Sequence, residues 1–197
     1  MGRHKEFDEG LAVEQALELF WAKGYESTSI QDLCDHMGIH RGSLYDTFGD
    51  KKALFIRCLD RFRQITDDDM YSILSKNTTD PKQQLKQFFE AVIDNSMNNA
   101  SLNRGCFFAN TTLGAVAREP EVASRVEAHY DFTEQVYYQF VIRAQQSGHL
   151  KKGLSPREVA RFLVNTKQGL SVLANTATER GVLEDACHVA MAILETE

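Results

Sequence analysis

The chain has 197 residues, of which 43% are hydrophobic, and a formal net charge of −6, so it can bury a sizeable core but carries no overall basic coat for nucleic acid. A membrane span is excluded: the best apolar stretch, Gly105 to Ala117, is too short and contains Asn and Thr. The four cysteines, Cys34, Cys58, Cys106 and Cys187, form no CxxC pair, and the opening MGRHKEFDEG lacks the apolar core of a signal peptide, which together point to the cytoplasm and away from a disulfide framework or zinc site.

In chain order, Arg3 and Lys5 fall in an N-terminal arm. From Thr28 the spacing predicts a short helix, with Ile30, Leu33, Cys34 and Met37 at i, i+3, i+4 and i+7. Thr28 and Gln31 have the spacing of a capping box. Gly38 supplies the backbone freedom for a sharp stop. After the turn Ile39 and Leu44 face inward, leaving His40, Arg41, Ser43 and Tyr45 outside. This is the layout of a helix-turn-helix, whose second helix enters the DNA major groove. Asp50 is placed to cap a helix reaching about Ser75, with Leu54, Cys58, Leu59, Phe62 and Ile65 inward. Asp80–Pro81 opens another, with Leu85, Phe88, Phe89, Val92 and Ile93 on its apolar side. Asn103–Gly105 is a break, followed by a short uncharged helix from Cys106 towards Ala117. Glu119–Pro120 opens a long helix whose stripe is Val122, Val126, His129, Thr133, Val136, Tyr137 and Phe140; Gly148 ends it. Ser155–Pro156–Arg157–Glu158 reads as a capping box with proline at the first helical position, followed by Val159, Phe162, Leu163, Thr166, Leu170 and Leu173. A last helix presents Val182, Ala186, Val189 and Ile193. The expected fold is all-α with about nine helices, three of them in a helix-turn-helix domain over 1–49. A second helical domain covers 50–197, the helix from 50 bridging the two.

The segment from Ala16 to Phe55 also resembles the N-terminal domain of TetR-type transcriptional repressors. The matching landmarks are Leu19–Phe20, Lys23–Tyr25, Thr28–Ile30, Gly38–Ile39, Arg41–Tyr45, Phe48, Lys51 and Ala53–Phe55. The resemblance implies a homodimer that binds a near-palindromic operator on double-stranded DNA and releases it when a small molecule occupies the C-terminal domain. In the family the last two helices meet their copy in a four-helix bundle. Phe162, Thr166, Leu170, Leu173, Val182, Ala186, Val189 and Ile193 are the corresponding interface residues here, with the small residues Ala174, Ala177, Ala186 and Ala190 permitting close approach.

At the DNA, Arg41 is suited to reading guanine with two hydrogen bonds. His40 and Ser43 are within reach of bases or phosphates, and Gly42 leaves room for the sugar–phosphate chain. By resemblance Tyr45 and Lys51 contact phosphate. Thr28 either caps its helix, contacts phosphate, or does both. Thr47 is counted with the DNA-binding residues, but Asp46 and Thr47 depart from the aromatic and histidine residues common in the family: the loss of histidine at Thr47 costs one phosphate contact, and Asp46 must point away from DNA or be repelled. Arg3 and Lys5 complete the expected set. Residues 1–50 hold four Lys/Arg (Arg3, Lys5, Lys23, Arg41) against ten Asp/Glu, which predicts weak non-specific binding with a shallow salt dependence.

Aromatic residues between Phe55 and Phe140 are mostly core by number. Collectively Phe62, Phe89, Phe107, Asn110, Thr111, His129, Phe132 and Tyr137 are candidates to line a pocket for an apolar effector with one or two polar handles. Cys106, at a helix start after Arg104, is either a small buried hydrophobe or a sensor thiol for oxidants or electrophiles. No cofactor or metal is expected, and no enzyme: P-loop, GxSxG and HExxH patterns are absent, and Asp185–His188 alone has the spacing of a bundle metal motif, which needs two.

Overall fold

The computed structural model describes residues 7–77, 80–98, 105–151, 153–174 and 179–194. These residues form nine α-helices: α1 (Glu9–Lys23), α2 (Ile30–Met37), α3 (Arg41–Phe48), α4 (Lys51–Leu74), α5 (Pro81–Asn98), α6 (Phe107–Leu113), α7 (Pro120–Gln146), α8 (Pro156–Leu173) and α9 (Arg180–Met191). Short 3-10 helices follow α6 at Ala115–Arg118 and α9 at Ala192–Leu194. No strand occurs among the described residues. The helices gather into two compact units that do not follow chain order, 1–65 with 110–126 and 66–109 with 127–197. Each of α4, α6 and α7 contributes residues to both units.

The first unit is built on α1 to α3 and the start of α4. Asp8 caps α1 by accepting the Leu11 N–H at 3.0 Å, and α1 buries Ala12, Val13, Ala16, Leu17 and Phe20. Phe20 meets Phe55 edge-on at 5.1 Å and Tyr25 in a stack at 5.9 Å. Trp21 meets Phe62 edge-on at 5.0 Å. The α4 residues Leu54, Cys58, Leu59 and Phe62 are buried as the spacing requires, but Ile65 is exposed. It is the last α4 residue of the first unit. Asp50 accepts the Ala53 N–H at 2.7 Å and so begins α4. Many acids of this unit serve its own architecture: Glu9 pairs with Arg57 (3.3 Å) and Glu14 with Arg61 (2.6 Å).

The second unit has one apolar core drawn from α4, α5, α7, α8, α9 and the 3-10 turn after α9, including Leu74, Leu85, Phe88, Phe89, Tyr137, Phe140, Leu163, Leu170, Leu183 and Leu194. Here α5 packs on α8 and α9, and α8 on α9. Asp80 accepts the Gln83 N–H at 2.9 Å and starts α5 beside Pro81. The helix expected from Cys106 to Ala117 is two pieces, α6 and the 3-10 turn, divided at Gly114. At α8, Pro156 sits in the first turn but Ser155 makes no side-chain cap bond. The start is correct and the capping box is not formed.

Candidate functional site

The capping box of α2 forms one residue later than the spacing Thr28–Gln31 implies. Ser29 is the cap: its hydroxyl oxygen accepts the Asp32 N–H at 3.0 Å, while Asp32 accepts the Ser29 N–H at 2.8 Å. The Ser29 amide, with Lys23 at 3.0 Å, holds the Asp32 carboxyl well below the ordinary carboxylate range. Thr28 instead points inward, 1% exposed, and its hydroxyl donates to the Gly24 carbonyl at 2.7 Å. A buried hydroxyl whose proton is already committed has none to give a phosphate.

Gly38 ends α2 in the left-handed region (φ 64, ψ 29), and the Ile39 N–H closes onto the Cys34 carbonyl at 3.1 Å. That turn aims α3. Ile39, Leu44 and Phe48 are buried, and they fix which face of α3 looks out. His40, Arg41, Gly42, Tyr45 and Asp46 are exposed, with Ser43 and Thr47 half-buried. His40 is the cap residue of α3 and makes no side-chain cap bond. The Arg41 guanidinium lies 5.6 Å from the centre of the Tyr45 ring. At Gly42 an added Cβ would meet nothing within 4 Å, so the surrounding protein does not itself require glycine there.

Lys51 opens α4 with its ammonium 4.2 Å over the Tyr25 ring. Burial pulls the Lys51 pKa down from its ordinary value. Tyr25 is gripped in turn by Phe20 and Phe55, the latter edge-on at 4.9 Å. The spacing gives no sign of this clamp, since Tyr25 and Lys51 lie on different elements. Arg3 and Lys5 lie outside the described residues.

The expected effector residues divide between the units. Phe62, Asn110 and Thr111 belong to the first; Phe89, Phe107, His129, Phe132 and Tyr137 belong to the second. His129 is buried and stacks on Phe108 at 3.9 Å with the rings 7° from parallel, and Tyr130 stands edge-on at 5.7 Å. Burial pushes the Tyr130 hydroxyl up to about 12. Tyr137 is fully buried against Phe88, and its hydroxyl has no hydrogen-bond partner among the described residues. Cys106 is 3% exposed and immediately precedes α6; Arg104 and Asn103 lie outside the described residues. Burial also pushes the thiols of Cys34, Cys58 and Cys187 up, that of Cys187 to about 11.

The apolar stripe of α9 faces outward. Val182 and Val189 are exposed, as is Ala186, while Leu183, Cys187 and Ala190 form the buried face. On α8, Phe162, Val172 and Leu173 are exposed, Thr166 is half-buried, and Leu170 is buried in its own unit and so is removed from the outer face. Ile193 is half-buried in the terminal 3-10 turn. Ala177 lies outside the described residues. Among the described residues no helix is long and apolar enough to cross a membrane.

Among the described residues α2, the left-handed turn at Gly38 and α3 with its outer face exposed make a helix-turn-helix. Residues 12–58 match the model for bacterial regulatory proteins of the tetR family, and residues 81–190 match the tetracyclin repressor-like C-terminal domain. The chain belongs to the TetR family of helix-turn-helix transcriptional regulators. It is 29% identical to the uncharacterized HTH-type transcriptional regulator YezE of Bacillus subtilis, over 99% of this chain and 100% of that protein. It is also 29% identical to the HTH-type transcriptional repressor ComR of Escherichia coli, over 96% of this chain and 88% of that protein. Among solved structures, a cysteine mutant of the TetR family regulator CifR complexed with 26-base-pair operator DNA superposes with a TM-score of 0.86. It is 23% identical and covers 98% of this chain and 100% of that chain. The reduced form of E. coli NemR gives a TM-score of 0.84 at 15% identity, covering 95% and 97%.

Proposed function

We propose that the protein is a homodimeric repressor that occupies a near-palindromic operator and leaves it when a small, largely apolar molecule binds the C-terminal unit. The observation that carries this reading is the face of α3, where buried Ile39, Leu44 and Phe48 hold Arg41, Gly42 and Tyr45 outward. Arg41 reads a base, and His40 and Ser43 reach bases or phosphates beside it. Tyr45 and Lys51 hold phosphates, with Thr47 and the arm residues Arg3 and Lys5 as lesser contacts. Gly42 supports close approach of the DNA backbone. A glycine inside a helix costs about 1 kcal/mol against alanine, and no neighbour within this chain demands one. Thr28 is left out of the contact set because its hydroxyl is buried and engaged.

The dimer reading rests on α8 and α9. Phe162, Val172, Leu173, Val182 and Val189 are large apolar side chains left exposed in a single copy. Gly169 and Gly181 on the same two helices have open space where a Cβ would stand, which suits close helix approach. Two such heads read half-sites about one DNA turn apart, roughly 34–36 Å. The CifR complex with operator DNA and the repressor ComR support operator binding and repression by likeness. For the effector, the Tyr137 hydroxyl, without a hydrogen-bond partner among the described residues, is a polar handle in an otherwise apolar core. The burial of Cys106 speaks against a thiol trigger.

The test is selection of genomic fragments by the purified protein, read by sequencing. An enriched palindrome is expected; enrichment of no sequence by folded, dimeric protein refutes the reading.

A further inference from the structure

The 3-10 turn Ala115–Arg118 begins after Gly114, a residue with no side chain to cap it. The cap arrives from 90 residues away in the chain: Glu26, in the loop between α1 and α2, accepts the Val116 N–H at 2.9 Å. That amide, with the Ala115 amide adding to it, holds the Glu26 carboxyl below the ordinary range. Gly114 is fitted to this contact. A Cβ there would stand 3.0 Å from both carboxylate oxygens of Glu26, although its backbone (φ −90, ψ 161) is open to any residue.

The next residue back is Tyr25, the ring under the Lys51 ammonium. Loop 24–28 is tied to itself as well, through the Thr28 hydroxyl on the Gly24 carbonyl and the Thr28 N–H on the Tyr25 carbonyl (3.3 Å). Tyr25 and Glu26 therefore move together, and all of these residues lie in one compact unit.

We propose that Glu26 is a positioning residue for the DNA contact at Lys51: by capping the 115–118 turn it fixes the loop whose Tyr25 ring holds the lysine ammonium in place. The proposal rests on the reading above that Lys51 contacts phosphate. It assigns Glu26 a role opposite to the one its charge alone implies. An acid near a phosphate-binding lysine weakens DNA binding by repulsion, so removing its charge should strengthen binding. Removing the cap should weaken it.

The two effects separate in Glu26→Gln and Glu26→Ala. Both remove the charge, but the glutamine amide oxygen still accepts the Val116 N–H. Binding of full-length protein to a short mixed-sequence duplex is measured across a salt series. Each neutralised phosphate adds about 0.9 to the slope of log affinity on log salt. Lys51→Ala should lower the slope by that amount for each phosphate it no longer neutralises. Glu26→Ala should lower it in the same direction, Glu26→Gln should keep it, and Gly114→Ala should behave as Glu26→Ala does. The double variant Glu26→Ala/Gly114→Ala should be no worse than either single change, because both act on one hydrogen bond.

A Glu26→Ala slope equal to that of Glu26→Gln, with Lys51→Ala lower, overturns the proposal and leaves the role of Lys51 standing. A Lys51→Ala slope equal to the parent removes the phosphate role of Lys51 itself, and the role of Glu26 with it. Additive effects in the double variant also overturn the proposal. Gly114→Ala guards against misfolding as the explanation, since it changes neither Glu26 nor the backbone class at position 114.

Discussion

Arg41 and Tyr45 stand one helical turn apart on the outer face of α3, with Arg41 Nη2 3.4 Å from the phenol oxygen and its guanidinium 5.6 Å from the ring centre. Such an i, i+4 pair orders a long side chain that would otherwise sample many rotamers. In an exposed setting the cation–π contact is worth about 0.5–1 kcal/mol. The arginine therefore starts from a restrained pose along the helix face.

Arg41→Ala should cost about 1–3 kcal/mol of discrimination at one operator position, the range for removing a bidentate hydrogen bond to a base. Tyr45→Phe should weaken operator and non-operator DNA alike, because a phosphate contact carries no sequence information. Competition binding with single-base operator variants distinguishes the two. An Arg41→Ala protein that keeps full discrimination at every position removes the base-reading role.

The outward stripe of α9 makes a separate expectation. Val189 is 68% exposed in a single copy, so Val189→Glu should leave the fold of that copy within about 0.5 kcal/mol of the parent. Buried against a second copy, the same charge would be desolvated without a partner and should split the dimer. Sedimentation should then report monomer while the helical circular dichroism is unchanged. Operator affinity should collapse with the dimer, because each head alone reads half a site.

Acid should destabilise the fold through carboxyls already engaged at neutral pH. Asp32 is held low chiefly by the Ser29 amide, Glu26 by the Val116 amide, and Glu134 by Arg157 at 2.8 Å with Arg161 beside it. Each binds its proton more weakly folded than unfolded. The stabilisation is complete above the unfolded carboxylate pKa of about 4 and is lost as pH falls through the folded value. Urea midpoints should therefore drop on acidification below about pH 4, and Asp32→Asn should flatten part of that drop. Parallel pH profiles for the parent and Asp32→Asn would show that the capping carboxylate is not among the linked groups.

Thiol chemistry should be slow. All four cysteines are buried in the folded chain, so a chromogenic thiol reagent should titrate almost nothing until denaturant is added, and then four groups. Modification of Cys106 at a rate set by reagent concentration, with the fold intact, would restore the thiol trigger as a reading.

The helices of the DNA-binding part were legible because their signals are local. The 3.6-residue spacing of Leu33, Cys34 and Met37, the glycine at 38 and the alternation around Leu44 are all contained within one or two turns. Where two hydroxyl residues adjoin, as at Thr28 and Ser29, local pattern does not choose the cap. Packing chose it, by drawing Thr28 inward onto the Gly24 carbonyl. Ser155 shows the converse, a capping pattern without the side-chain bond.

By itself the sequence determined the all-helical class, most helix starts and the outer face of α3, since these depend on backbone propensity and side-chain periodicity over a few residues. The tertiary structure decided which side of α9 is buried, for Val182 and Val189 are as apolar as Leu183 and differ only in what lies opposite. It also decided how Glu26 meets Val116 and how Tyr25 meets Lys51. Those contacts join segments distant in the chain, and no local pattern encodes a partner that only folding brings near.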